Sequence, residues 1–291
     1  MPTTSGSNSN PTGAASSASH VFVVVLENAN YDSVIDSKSM PYLNSLMPQG
    51  GLATNYFANF HPSIPDYFML TTGQSVTMTD SFKGVVMDDN IARELMNAGK
   101  TWKAYAQSIP SAGYMGQDVY PYSRHHIPFT YFSDVQQNTT QQMNIVPLTQ
   151  LATDITGNML PNYAMIVPDQ QSNAHDCPVG FPPGETTACK FTDRLAAADD
   201  FLKTQIAPIL ANAEFQRNGL LVITFDESAG DHTNGGGKVV TLLLGPRVRV
   251  GFQSTTQYAH ESLLRLSLSA LGINTFPGQA ATAPAMDEFF Q

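Results

Sequence analysis

The stretch His20–Leu26, HVFVVVL, running straight into Glu27 and Asn28, decides the reading of this chain. A continuous β-branched and aromatic run with no polar alternation is what a strand buried on both faces of a parallel sheet requires. The same grammar recurs at 220–225 (LLVITF ending before Asp226 and Glu227), at Tyr163–Val167 before Pro168 and Asp169, and at 239–244 before Gly245. Helical patterns lie between these runs, at Pro41–Leu46, 90–97, 191–213 and 260–271. The alternation predicts an α/β fold, a doubly wound, mostly parallel sheet with helices on both faces. In such sheets ligands bind beyond the carboxyl ends of the strands, where Glu27, Asn28, Asp169, Asp226 and Glu227 fall.

With 291 residues, of which 42% are hydrophobic, the chain can bury a substantial core. Only 13% of residues are charged and the net charge is −10, so no basic surface offers itself to a run of phosphates, and nucleic acid is not an expected partner. The longest apolar run, 21–26, is too short to cross a bilayer, so no stable membrane insertion is expected. Residues 1–19 are, after Met1, all Ser, Thr, Gly, Asn, Pro and Ala with no apolar stretch and read as a flexible leader. The leader lacks the charged start and apolar centre of a signal peptide, and the expectation is that one preceded it and was removed.

The remainder, 20–291, reads as one domain, because candidate ligands come from both ends and must meet in space. The stretch 118–151, rich in Pro, Tyr, Gln and Asn, is expected to be a lid-like insertion over the sheet. Cys177 and Cys189 bracket the Pro/Gly-rich loop PVGFPPGETTA. A disulfide closing that loop is the favoured reading, with two free thiols as the alternative.

Two acids directly after a buried strand repel each other unless a cation or hydrogen bonds offset the charge, so Glu27-Asn28 and Asp226-Glu227 point to a metal site. Taken singly, each pair also fits the caps of a following helix. The segment FHPSIPDYFMLTTG, residues 60–73, is more specific. Ser63 sits between two prolines at a helix start, where backbone N–H groups favour a phosphate; an ordinary cap is the alternative reading for Ser63 alone. Six of the seven histidines, His61, His125, His126, His175, His232 and His260, lie in segments of this polar kind, beside Arg124, Asp176 and Asp231. Imidazole suits metal ligation and proton transfer, so at least two of them are expected to be functional.

The blocks ENANYD (27–32), HPSIPDY (61–67), HIPF (126–129), SNAHD (172–176) and FDE (225–227) occur in this order, with YAHESLL following at 258–264. Over roughly 20–272 the chain thereby resembles the phosphoesterase family that holds bacterial acid phosphatases and phospholipases C, a branch of the alkaline phosphatase superfamily. The resemblance implies that Glu27, Asn28, Asp226 and Glu227 bind one divalent metal that also touches Ser63, and that Ser63 attacks phosphorus. It implies His126 on the substrate side and matches His175 and Asp176 to the family's H-D pair. Two blocks depart from the pattern: Asp66 stands where Asn is usual, and SNAHD replaces NDMHD.

The expected chemistry is phosphomonoester hydrolysis, an acid phosphatase working through a phosphoserine. Ser63, His126 and His175 are the catalytic candidates, with His61, Asp66, Asp176 and His260 around the substrate. His260 is a further candidate, with His126 and His175, for protonating the leaving group. Carboxylates, an amide and a hydroxyl are hard donors that favour Ca²⁺, Mg²⁺ or Mn²⁺, with Zn²⁺ returning if His232 or His260 ligates. The alternative is a phospholipase C-type phosphodiesterase, which needs more room at phosphorus; a catalytically silent binding protein of the same fold is the third reading. The expected partner is a small phosphate ester and the expected location secreted or periplasmic, with the oligomeric state left open.

Overall fold

The computed structural model describes residues 18–291. Its strands, in chain order, are β1 (His20–Leu26), β2 (Gly51–Ala53), β3 (Tyr56–Phe57), β4 (Trp102–Ala106), β5 (Ile145–Pro147), β6 (Tyr163–Val167), β7 (Gly219–Phe225), β8 (Thr241–Leu244), β9 (Phe252–Ser254) and β10 (Tyr258–Ala259). Eight of them form one sheet in the order β5-β4-β6-β1-β7-β8-β2-β9, and β3 pairs with β10 separately. The most apolar strands, β1, β6 and β7, lie side by side at its centre, where helices and neighbouring strands exclude water from both faces. Helices pack in two groups: Pro41–Leu46 against Phe191–Ala211, and Ser63–Thr72 against His260–Ala270 and Ile91–Asn97.

Register is what builds the site. β1 and β7 run parallel with His20 opposite Gly219 and Leu26 opposite Phe225. The next residue on each strand is an acid, so Glu27 and Asp226 emerge side by side, and the Asp226 N–H still donates to the Leu26 carbonyl at 2.9 Å.

Three expectations change. The strand foreseen at 239–244 begins at Thr241 and runs antiparallel to both β7 and β2. No helix spans 226–240, so the chain returns directly beside β7 and can pair only in the opposite sense. Gly245 therefore lies at the far end of the sheet: a Cβ there would sit 2.4 Å from the Gly219 carbonyl at the start of β7.

Within 118–151, β5 completes one edge of the main sheet and Phe129 stacks on Trp102 at 4.6 Å between ring centres, so much of this segment is core and not cover. Residues 1–17 of the expected leader lie outside the described residues, while the backbone N–H groups of Ala18 and Ser19 already donate to Ala270 and Asn218. Cys177 and Cys189 are joined as a disulfide. Among the described residues no helix is long and apolar enough to cross a membrane.

Candidate active site

Ser63 opens the helix Ser63–Thr72 and is 5% exposed. Its hydroxyl donates to Glu27 Oε2 at 3.2 Å. One helical turn on, Tyr67 presents the same face and donates to the other oxygen, Glu27 Oε1, at 2.5 Å. The Tyr67 ring in turn stacks on His126, 5.1 Å between centres and 14° from parallel, and His126 Nε2 lies 3.4 Å from Glu27 Oε1. Tyr67 is a site residue that reading the motif for its nucleophile missed; the i, i+4 spacing from Ser63 was the available signal.

Asn28 adopts a φ of 42°, a left-handed conformation that Asn tolerates better than most residues. Its backbone N–H donates to Asp226 Oδ1 at 3.2 Å and its amide nitrogen to Glu227 Oε1 at 3.1 Å. Asp226 Oδ1 also accepts from the Glu227 N–H at 2.6 Å. His61 Nδ1 approaches Glu227 Oε2 to 2.8 Å but off the line of a hydrogen bond, while its Nε2 donates to the Asp231 carbonyl at 2.9 Å. His232 lies against the edge of the His61 ring, 4.5 Å between centres.

The glycines at 235–237 press this loop onto the chain entering Ser63. A Cβ on Gly235, whose φ is 107°, would fall 1.9 Å from the Asn59 carbonyl.

The electrostatics of this pocket are those of acids lacking enough cations. Burial, then the charge of Asp226, drives the Glu27 carboxyl well above the ordinary range. Burial also raises Asp226, and burial with the charge of Asp226 pushes Glu227 up to about 9. Asn28 Oδ1, Asp226 Oδ2 and Glu227 Oε2 are buried without a hydrogen-bond partner among the described residues. Buried oxygens of this kind are costly unless something positive meets them.

The residues present fit a hard divalent cation on those grounds: oxygen donors, left open, on converging side chains. Among the described residues no three His, Cys, Asp or Glu side chains form such a group by themselves, so a cation held here would draw also on the Asn28 amide and the Ser63 hydroxyl.

The other predicted residues separate into those at the pocket and those behind it. Burial, with the nearby His125 and His175, keeps the His126 ring neutral by lowering its pKa well below the usual value. His175 Nδ1 pairs with Asp176 Oδ1 at 2.6 Å, and the Arg194 guanidinium donates to the His175 carbonyl at 2.6 Å, a support that sequence reading did not single out.

His260, expected near the substrate, is completely buried, and both its nitrogens are engaged. Nε2 donates to the Asp226 carbonyl at 2.6 Å and Nδ1 accepts from the Tyr56 hydroxyl at 3.0 Å. Burial lowers its pKa to about 4, so it holds Asp226 in place as a neutral ring and does not reach substrate.

Asp66, also expected on the substrate, turns back instead: its Oδ1 accepts the backbone N–H groups of Asn59 and Phe60 at 2.8 and 3.2 Å. At the helix start itself, the Ile64 N–H expected to face a phosphate donates to Asp80 Oδ1 at 2.9 Å. Asp169 accepts the Ser108 hydroxyl at 2.6 Å and the Gln171 N–H at 3.2 Å, as a turn residue.

A serine hydroxyl held at a helix start beside acids that follow parallel strands, in a mostly parallel eight-stranded sheet, defines the class: the fold is that of the alkaline phosphatase superfamily. A protein of that superfamily from Vibrio parahaemolyticus superposes with a TM-score of 0.62 at 14% identity, over 97% of this chain and 76% of that one. Murine ectonucleotide pyrophosphatase/phosphodiesterase 5 superposes with a TM-score of 0.60 at 12% identity, over 94% of this chain and 100% of that one.

The model of the Phosphoesterase family matches residues 35–269, and the chain belongs to that family. Its relatives include a phosphatidylinositol-3-phosphatase of Mycobacterium tuberculosis, 28% identical over 96% of this chain and 86% of that protein. A probable acid phosphatase of Kluyveromyces lactis is 31% identical over 84% of this chain, and an acid phosphatase of Aspergillus fumigatus is 29% identical over the same share. The chain spans 56% and 52% of the length of these two fungal relatives. Family and relatives together support a phosphoester hydrolase.

Proposed function

We propose that this chain is a metal-dependent phosphomonoester hydrolase, an acid phosphatase that works through a phosphoserine on Ser63. The observation that carries the reading is the Ser63 hydroxyl, 3.2 Å from Glu27, in a pocket of buried carboxyl and amide oxygens left without partners. Glu27, Asn28, Asp226, Glu227 and Ser63 would hold one divalent ion of the Ca²⁺, Mg²⁺ or Mn²⁺ kind. When bound, it lowers the pKa of the serine hydroxyl and neutralises charge on the phosphoryl oxygens.

Glu27 holds the hydroxyl hydrogen and so aims Oγ at phosphorus; it takes that proton as Oγ attacks and returns it to Oγ when water frees Ser63. Tyr67 and the neutral His126 fix Glu27 from its other side. His175, oriented by Asp176 through Nδ1, leaves Nε2 to deliver a proton to the departing alcohol and to accept one from the water that frees Ser63. Export is supported by the Cys177–Cys189 bridge, since disulfides persist in oxidising compartments.

The test is parallel assay of p-nitrophenyl phosphate, bis-p-nitrophenyl phosphate and phosphatidylcholine, with and without chelator. Fast, chelator-sensitive release from the first alone is expected. Preference for either diester would replace the reading with a phosphodiesterase, and silence on all three, with cation supplied, with a binding protein.

A further inference from the structure

Beside the turn that carries His126 lies a cavity of about 350 Å³ lined by Lys83, Met115, Gln117, Arg124, Gln136 and Gln142, in the lower part of the range of small-molecule pockets. Arg124 is only 6% exposed, yet among the described residues its guanidinium meets only neutral groups. Nε donates to the Thr130 hydroxyl and Nη2 to the Thr130 carbonyl, both at 3.2 Å, and the Tyr131 ring lies 4.2 Å beneath its plane. The neighbouring acid, Asp118, is turned to the Arg124 backbone N–H at 2.6 Å and to His125 at 3.5 Å. No carboxylate forms an ion pair with the guanidinium and Nη1 makes no hydrogen bond among the described residues.

Buried charges are otherwise paired, and this chain has 24 acids against 14 lysines and arginines. A guanidinium left unpaired in so acidic a protein is poised for an anion that arrives from outside. Lys83, exposed on the same cavity, likewise has no ion pair among the described residues.

The other lining groups narrow the ligand. Gln136 and Gln142 each turn the amide nitrogen to a backbone carbonyl, those of Thr130 and Gln136, at 2.9 and 2.8 Å, which leaves one N–H on each. Their side-chain carbonyl oxygens remain as acceptors, which suit hydroxyl groups.

The cavity is also tied to the reacting centre through both of its cations. Arg124 and His126 share one short turn, and His126 reaches Glu27 at 3.4 Å. Lys83 follows Asp80, which takes the Ile64 N–H beside Ser63, by three residues. The backbone between each cation and its site residue spans at most about 11 Å.

We propose that the Lys83–Arg124 cavity is a distal subsite that binds a second phosphate group, on a hydroxyl-bearing substrate whose first phosphate sits at Ser63. The proposal rests on the phosphomonoesterase reading and names its substrate class: polyol bisphosphates. The guanidinium supplies the fixed donors for the distal phosphate, Lys83 a mobile one, and the glutamine carbonyls the acceptors for hydroxyls between the two phosphates.

The test measures kcat/KM on fructose 1,6-bisphosphate, fructose 6-phosphate and p-nitrophenyl phosphate for wild type, Lys83→Gln, Arg124→Gln and Arg124→Lys. The ratio of bisphosphate to monophosphate is expected to fall about threefold in Lys83→Gln and at least about tenfold in Arg124→Gln, with partial recovery in Arg124→Lys, which keeps the charge but not the fork. Lys83 is exposed, so its variant folds and decides the matter if Arg124→Gln does not.

A calorimetric titration of fructose 1,6-bisphosphate on Ser63→Ala protein, with and without Lys83→Gln, reads the subsite without turnover. Weaker binding in the double variant upholds the subsite even if no substrate is hydrolysed, in which case only the phosphatase reading fails. Unchanged ratios together with unchanged affinity overturn it.

Discussion

Two clusters of buried acid show how differently one fold treats the same side chain. Asp154, on the Thr149–Thr156 helix and 1% exposed, accepts from Lys103, from the Tyr105 hydroxyl at 2.6 Å and from Gln150 at 3.0 Å. Burial alone would raise its pKa, but those donors outweigh burial and hold it below the ordinary carboxylate value. Glu27, Asp226 and Glu227 are buried too, yet all three are pushed upward and two of their oxygens go unpartnered among the described residues. A structural acid comes with its counter-charge; the acids after β1 and β7 are left for one to be supplied. Stability is spent at the second cluster and gained at the first, so the two should respond in opposite directions to the same substitutions.

The largest expected effect is on chemistry. On the proposed mechanism Ser63→Ala removes the attacking oxygen and should lower phosphate release by at least about 10⁴-fold with an unchanged circular dichroism spectrum. A variant that kept a tenth of the rate would reduce Ser63 to a helix-start residue.

Asp226→Asn comes next and separates the clusters most sharply. It should weaken divalent-cation binding at least about tenfold, read by elemental analysis after dialysis. In chelator it should raise Tm by about 2–4 °C, because one of three crowded ionisable carboxyls is gone while the carbonyl oxygen still accepts from Asn28 and Glu227.

The same logic fixes a sign with pH. The Glu227 carboxyl, raised to about 9, binds a proton in the folded state that an unfolded glutamate, with a pKa of about 4.3, has already released. Its contribution is fully present below the unfolded value and is lost as pH rises toward 9, so chelated protein should lose Tm steadily between about pH 5 and 9. Added cation should flatten that slope. A chelated protein whose Tm rises over this interval would contradict the crowding.

Asp154→Asn reverses the outcome. It removes the partner of Lys103 and one charge-assisted acceptor of Tyr105, a loss of about 2 kcal/mol, or about 4–8 °C in Tm, with or without chelator. The Asp154 pKa is depressed, so its stabilisation is present above the unfolded value and lost as pH falls through the folded one. Differential scanning fluorimetry across pH 3 to 7 reads this acid-side loss, which the Asn variant should lack.

The contrast also explains what the sequence could and could not disclose. The apolar run of β1 ending at Glu27 and that of β7 ending at Asp226 were legible, because a buried parallel strand needs an unbroken pattern and ends where a polar residue begins. The sense of β8 was not: its residues would pack equally well in either direction, and only the helix-free return through 226–240 decides it.

Among the site residues, motif order located Ser63 and the four oxygen donors, but it could not tell a histidine facing the pocket from one behind it. His260 and His126 are both buried rings near acids; what separates them is that Tyr56 and the Asp226 carbonyl occupy both nitrogens of the first, while Nδ1 of the second makes no hydrogen bond among the described residues. Those partners are 204 and 34 residues from His260 in sequence, beyond the reach of any local pattern.

The smallest expected effect concerns Asp66, which stands between the two clusters. Burial and the charge of Asp226 raise its pKa, against the donors Asn59 and Phe60 that lower it, and its Oδ2 has no hydrogen-bond partner among the described residues. It is thus half satisfied like a structural acid and half abandoned like a site acid. What its side chain does is hold the loop that delivers Ser63, through Oδ1 alone. An asparagine keeps that carbonyl oxygen and fills the same volume, and its amide nitrogen has no ionisation to resist.

Asp66→Asn should therefore shift Tm by no more than about 2 °C and give a pH–rate curve parallel to wild type from about pH 4 to 8. Asp66→Ala, which frees two backbone donors, should cost about 2 kcal/mol. If Asp66→Asn instead held its rate to distinctly higher pH than wild type, the Asp66 carboxyl would be touching the phosphate in the working enzyme, and its place beside the loop would be only the resting arrangement.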